Sequence, residues 1–275
     1  MYQKLLYFIL ILFLSFACSK DKVVVDRPAD KDQSFETYYQ AVEEMNKGDY
    51  FFASKKFIEA ENILPRVEYS AKALIMSSYC LYLINFYDEA ITRLERYIKK
   101  YPASKDIEYA YYLIAISTYE QILDEKKDIT PLLKSKKNIN FFLEKFNESE
   151  YSLDLKFKLD LINNQLAAKE LYVAKYYIET KKWIPAINRL KTIVKDYDET
   201  IFIEEALHRL VETYYKVGLV SEAETAAKIL GYNYNSSLWY QQSYKVLNKN
   251  YKIPKIKHKK EKSNLISKTI KRILD

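Results

Sequence analysis

The chain has 275 residues, with 44 Lys+Arg against 37 Asp+Glu and a formal net charge of +7. Only 3 Gly and 6 Pro leave it too poor in turn formers for an all-β protein, whereas Leu, Ile, Lys, Glu, Ala and Tyr dominate, which favours an all-α chain. The 2 Cys and 2 His exclude a disulfide scaffold and a histidine-rich metal site.

The chain begins with Lys4, an apolar run from Leu5 to Phe16, then Ala17 and Cys18. A short apolar run after a positive residue, ending in a small one, predicts an export signal over 1–17 and is too short for a comfortable membrane span. Ser15-Phe16-Ala17-Cys18 resembles the bacterial lipobox, with Leu14 four rather than three residues before the cysteine. That resemblance implies lipidation at Cys18; an ordinary signal peptide with an incidental Cys is the plainer alternative. Several acyl chains, each CH₂ worth ~0.8 kcal/mol on burial, would anchor the chain stably. Ser19 after the cysteine resembles lipoproteins sent to the outer membrane. Residues 18–34 are charged and Pro-containing, which predicts a flexible tether.

From residue 35 a pattern of helical hairpins begins. Expected helix pairs are Thr37–Asn46 with Tyr50–Ile63, Ser70–Ile84 with Asp88–Lys100, Ile107–Leu123 with Pro131–Phe146, and Ile203–Val217 with Ser221–Leu230. A polar insertion, DEKKDIT, interrupts the third pair. Leu153 to Lys182 has no breaker and predicts one helix of about 28 residues, ~40 Å at 1.5 Å per residue. It pairs with a helix carrying Trp183, Ala186, Ile187, Leu190, Ile193, Val194 and Tyr197 on one face, with Pro185 in its first turn.

The second helices align with one another: Ala53-Phe57-Ala60, Ala90-Leu94-Tyr97, Ser135-Ile139-Phe142 and Ala186-Leu190-Ile193. Small and large residues at steps of four and three, with a breaker or cap beyond, resemble the tetratricopeptide repeat. The expected fold is therefore an all-α tetratricopeptide-repeat superhelix of about five hairpins over 35–248. An N-terminal block spans 35–150 and a C-terminal block 151–248.

No phosphate loop, dinucleotide fingerprint, zincin motif or serine elbow is present. His208 and His258 lie far apart without ligands at metal spacing, and His208 reads as a partly exposed helix residue. Cys80, in SSYCLYLI, reads as a small hydrophobe. No catalytic residue, cofactor or metal is expected, and the chain reads as a non-enzyme.

The motifs ELYVAKYYIETKKWIPAINRL and AAKILGYNYNSSLWY, set among the repeats, resemble the BamD family over residues 34–248. The resemblance implies a periplasm-facing outer-membrane lipoprotein of the β-barrel assembly machinery. As partners it implies BamA, other subunits and unfolded outer-membrane proteins. It also implies that Arg189 pairs with an acidic residue of the BamA POTRA domain nearest the barrel. The planar guanidinium fork suits a carboxylate. Tyr38, Tyr39, Tyr79 and Tyr82 are candidates for a substrate groove, since tyrosine combines apolar area with a polar tip; repeat packing is the competing role. A periplasmic scaffold of cell-wall or Tol machinery is the alternative reading.

The last segment, 249–275, holds ten basic and two acidic residues, so its charge is +8 and everything before it carries −1. It contains KIKHKKEK and ends in SNLISKTIKRIL, with Leu265, Ile266, Ile270, Ile273 and Leu274 at helical spacing. A basic amphipathic helix suits anionic lipid or an acidic partner, and a solvated tail is the competing reading. An exported lipoprotein would not meet nucleic acid.

Overall fold

A computed structural model describes residues 33–122, 128–234 and 238–248. The signal segment, Cys18, nearly all of the tether, the first four residues of the polar insertion and the basic tail lie outside the described residues.

Eleven helices, and no strand, occur among the described residues. They are α1 Gln33–Lys47, α2 Tyr50–Ile63, α3 Val67–Leu83, α4 Tyr87–Lys100, α5 Ile107–Glu120, α6 Thr130–Lys145, α7 Ser152–Glu179, α8 Trp183–Asp196, α9 Ile203–Lys216, α10 Val220–Asn233 and α11 Leu238–Leu247. The chain divides into two compact units within α7, after Ile162.

The hairpin turns share one backbone device. Gly48, Asn85, Lys181 and Gly218 all have positive φ, between 58° and 87°. Each donates its N–H to the carbonyl three residues back, and the next residue donates to the carbonyl five back, as in Gly48 to Met45 and Asp49 to Glu44, both 3.0 Å. This left-handed cap consumes carbonyls that the ending helix leaves unpaired and turns the chain straight into the next helix. It also ends α7 three residues short of the expected Lys182, because Lys181 takes the left-handed conformation without being glycine.

In the first unit, Ala53, Phe57, Ala60, Ala90, Leu94, Tyr97, Ser135, Ile139 and Phe142 are all fully buried. The 4-3 spacing puts each set on one stripe, and the small leading residue lets the backbones approach. Two polar networks lock α2 to its neighbours. The buried Glu61 carboxylate is held by Arg96, by Lys100 at 2.9 Å and by the Tyr101 hydroxyl at 3.3 Å. Arg93 donates to Ser54 at 2.6 Å and to Ser77, whose hydroxyl donates to the Ser54 carbonyl at 2.8 Å. Each polar group of these two networks thus has a partner, which avoids the desolvation cost of an orphan. Cys80 is buried and free, as a small hydrophobe.

The second unit is built on Ala167, Leu171 and Ala174 of α7, Ile187, Leu190 and Ile193 of α8, Ala206, Leu210 and Val211 of α9, and Ala223, Ala226 and Ala227 of α10. The last helix among the described residues, α11, has no clear apolar stripe in the sequence. It packs on α9 and α10, with the Tyr240 ring seated over Gly231, where a Cβ would meet it at 2.7 Å.

His208 is buried, not partly exposed: α11 covers it. Its Nδ1 lies 2.8 Å from the Ser243 hydroxyl and its ring 5.2 Å from that of Trp239. Burial pulls its pKa below the ordinary value, against the pull of Glu212 in the other direction. A depressed histidine pKa favours the unfolded state on protonation, so its stabilising contribution is complete above about pH 6.5 and is lost as pH falls below that value. The melting temperature is accordingly expected to drop between pH 7 and 5, and His208→Asn to flatten that slope. An unchanged slope in calorimetry would count against this assignment.

Candidate functional site

Two surfaces of the first unit and one of the second carry the residues expected to bind partners. On α1, Tyr38 is only 6% exposed and packs edge-on against Phe57 at 5.4 Å. Burial raises its pKa to about 12. Its edge borders a cavity of about 600 Å³ also lined by Val67, Tyr69, Lys72, Tyr101 and Asp106. Tyr39 is half-buried, 6.4 Å from Phe35. These two tyrosines belong mainly to packing at the start of the unit.

Tyr79 and Tyr82 lie elsewhere, half-buried on α3, and they belong to a larger aromatic strip. Tyr109 and Tyr112 on α5 and Tyr151, in the turn just before α7, complete it: Tyr112 stacks on Tyr151 at 4.3 Å, and Tyr109 lies 5.8 Å from Tyr151. Burial raises the Tyr109 phenol well above its ordinary pKa, and the neighbouring phenols of Tyr79, Tyr151, Tyr112 and Tyr82 add to the shift. Burial also raises Tyr112, reinforced by Asp154, to which its hydroxyl donates at 3.2 Å. Lys158 closes on the same carboxylate at 2.6 Å. The strip thus presents neutral phenols whose rings offer apolar faces and whose hydroxyls can donate or accept. Such a surface suits an extended polypeptide rich in aromatic and aliphatic residues. Sequence reasoning missed Tyr109, Tyr112 and Tyr151; the Tyr109/Tyr112 pair at i, i+3 on a first-arm helix, matching Tyr79/Tyr82, was the available signal.

In the second unit Arg189 stands on α8 with its side chain 47% exposed. Its Nη1 meets both carboxylate oxygens of Glu170 on α7, at 3.3 and 3.2 Å. The other guanidinium nitrogens make no hydrogen bond among the described residues, so one edge of the fork is held while the other faces outward. Glu170 is the residue missed here. It fixes the side chain's direction and lowers the rotamer entropy a partner carboxylate would otherwise have to remove.

No cluster of metal-ligating side chains occurs among the described residues, and no helix among them is long and apolar enough to cross a membrane.

Residues 30–229 match the YfiO family, described as outer membrane lipoprotein. The chain is 36% identical over 214 residues to the outer membrane protein assembly factor BamD of Rickettsia prowazekii, covering 78% of this chain and 85% of that one. The chain belongs to the BamD family. Two further BamD proteins are also similar. That of Caulobacter vibrioides is 33% identical over 213 residues, covering 78% of this chain and 70% of its own. That of Pasteurella multocida is 27% identical over 244 residues, covering 84% and 92%. The family match takes in every helix of the described hairpins up to Ile229 in α10, including both arms of the Arg189–Glu170 pair.

Proposed function

We propose that this BamD-family chain is a non-catalytic subunit of the machinery that assembles outer-membrane proteins, held at the periplasmic face of the outer membrane by acyl groups on Cys18. In this reading Arg189 docks on BamA, and the tyrosine strip of the first unit receives unfolded outer-membrane proteins. The observation that carries it is the relation, over most of both chains, to proteins named as outer membrane protein assembly factors. The physical chemistry supports the binding part of this reading. Paired helices stacked in each unit expose side-chain surfaces to which a partner can bind, and the half-held guanidinium is poised for a carboxylate.

Pull-down from detergent-solubilised envelopes tests class and partner together. BamA is expected to co-purify with the wild-type chain; recovery of cell-wall synthases or Tol components without BamA would replace assembly with the scaffold reading. Cys18→Ala tests the anchor separately. The wild-type chain is expected to incorporate labelled palmitate and Cys18→Ala to incorporate none, and an unlabelled wild-type chain, or equal labelling of both, would overturn lipid anchoring there.

A further inference from the structure

The second arms α4 and α6 both pack on α5. Between them lies a groove of about 320 Å³, with Tyr111 and Ile114 of α5 at its base, Glu95 and Ile98 on the α4 wall and Lys137 and Phe141 on the α6 wall. Residues three apart share a helix face, and the Tyr111/Ile114 pair is offset from Tyr109/Tyr112 by nearly half a turn. The groove is therefore a different surface from the tyrosine strip. Its α6 wall is basic: the helix holds four lysines and one glutamate, although the chain before residue 249 carries −1 as a whole. Lys134, Lys137, Phe141 and Lys145 follow at steps of three and four, which places them on one stripe, and Phe141 is 46% exposed. On neighbouring second arms lysines are engaged with carboxylates, Lys56 with Glu59 at 2.8 Å and Lys100 with Glu61 at 2.9 Å. Lys134, Lys137 and Lys145 have no carboxylate within 4 Å among the described residues. Lys145 instead stands over three rings, 4.5 Å from the centre of Tyr111, 5.4 Å from that of Phe146 and 5.8 Å from that of Phe141. The negative ring faces hold its ammonium in place without neutralising it.

We infer that this groove docks an acidic amphipathic segment of a partner protein. The segment's apolar side chains enter over Tyr111 and Ile114, and its carboxylates lie along the lysine stripe of α6. Charge complementarity selects the carboxylates and fixes the side on which they sit, while the aromatic and aliphatic base favours apolar side chains, as in other recognition of amphipathic helices by grooves. A lysine already held over its rings has less freedom to lose when a carboxylate arrives. An anionic bilayer fits less well. Its flat surface would rest on the ridges of α4 and α6, leave the base of the groove uncovered and bring the Glu95 carboxylate against headgroups of like charge. Because the tyrosine strip lies on the opposite side of α5, the helix can carry one polypeptide on each face, and occupancy of the groove does not depend on what the strip binds.

The test is hydrogen exchange in the full chain carrying Cys18→Ala, so that no acyl group of its own places it in a vesicle. The probes are a blocked amphipathic peptide of leucine and glutamate, its copy with lysine in place of glutamate, and phosphatidylglycerol vesicles. The glutamate peptide at millimolar concentration is expected to slow exchange at the amides of α4 and α6 at least about threefold and to leave α8 unchanged, as occupancy a few-fold above the dissociation constant implies. Neither the lysine copy nor the vesicles should do so. In K137E/K145E, and separately in Phe141→Ala, the slowing should disappear; exchange of the two variants without peptide is the folding control, and the double variant alters only exposed side chains. No slowing by the glutamate peptide overturns the inference, and so does slowing that survives in K137E/K145E. Slowing by vesicles and not by the peptide would replace the acidic segment with a lipid surface.

Discussion

Arg189→Glu is expected to weaken association with BamA by at least about thirtyfold while moving the melting temperature by no more than about 4 °C. The two halves of that expectation have different physical origins. Within the chain, Arg189 is about half exposed and its partner Glu170 is 18% exposed, and a pair of that kind is worth under about 1 kcal/mol because water screens it and two long side chains must be held still. Reversal places like charges together on the surface, at a similarly small cost. At an interface the same guanidinium becomes desolvated. Removing one member of a hydrogen-bonded charge pair there costs about 2–5 kcal/mol, and each 1.4 kcal/mol is about a factor of ten. Arg189→Lys should fall between the two, since it keeps the charge and loses the planar fork. Glu170→Gln should lower affinity by only a few-fold, by releasing the side chain without removing its charge. These constants can be read by surface plasmon resonance with the periplasmic part of BamA immobilised. Equal affinity for wild type and Arg189→Glu at moderate salt would remove Arg189 from the interface.

How legible the fold was depends on what each feature rests on. The second arms could be read because burial leaves a periodic trace: Ala53-Phe57-Ala60, Ala90-Leu94-Tyr97 and Ala186-Leu190-Ile193 are fully buried, as steps of four and three require. Turns at Gly48 and Gly218 were visible for the same kind of reason, since glycine advertises positive φ. Asn85, a residue type that tolerates positive φ, and Lys181 adopt the same conformation, but a lysine carries no such mark, and the sequence therefore runs α7 on to Lys182. The burial of His208 leaves no trace in its own segment because the helix that covers it, α11, has ten residues with no clear stripe, and its partner Ser243 is 35 residues away. At the candidate sites, the resemblance to a family pointed to Arg189. That Glu170 holds it, and that Tyr109, Tyr112 and Tyr151 join Tyr79 and Tyr82, are facts of tertiary packing between helices distant in sequence.

Leu190→Ala is expected to produce the opposite pattern from Arg189→Glu, although the two residues are adjacent. Leu190 is fully buried between α7 and α9 in a cluster with Leu171, Ile187, Ile193 and Leu210. Much of the rest of that cluster is alanine: Ala167, Ala174, Ala206 and Ala223. Collapse into the vacated volume would require whole helices to move, since an alanine methyl is fixed by its backbone and cannot swing inward. Loss of a buried leucine costs about 2–5 kcal/mol, and poor collapse places this site in the upper half of that range. Against a typical domain stability of about 5–15 kcal/mol that is a large fraction, and it corresponds to a fall in melting temperature of roughly 10 °C. Ile187→Val, which removes one methylene from the same cluster, should cost only about 0.5–1.5 kcal/mol. In urea the Leu190→Ala midpoint should fall with little change in slope, because the surface exposed on unfolding is nearly unchanged. Well below its melting temperature the variant should bind BamA within a few-fold of wild type, because α8 still presents Arg189 once folded. A Leu190→Ala chain that melts within about 2 °C of wild type would show that the cluster collapses around the gap, contrary to the rigidity assigned to its alanines.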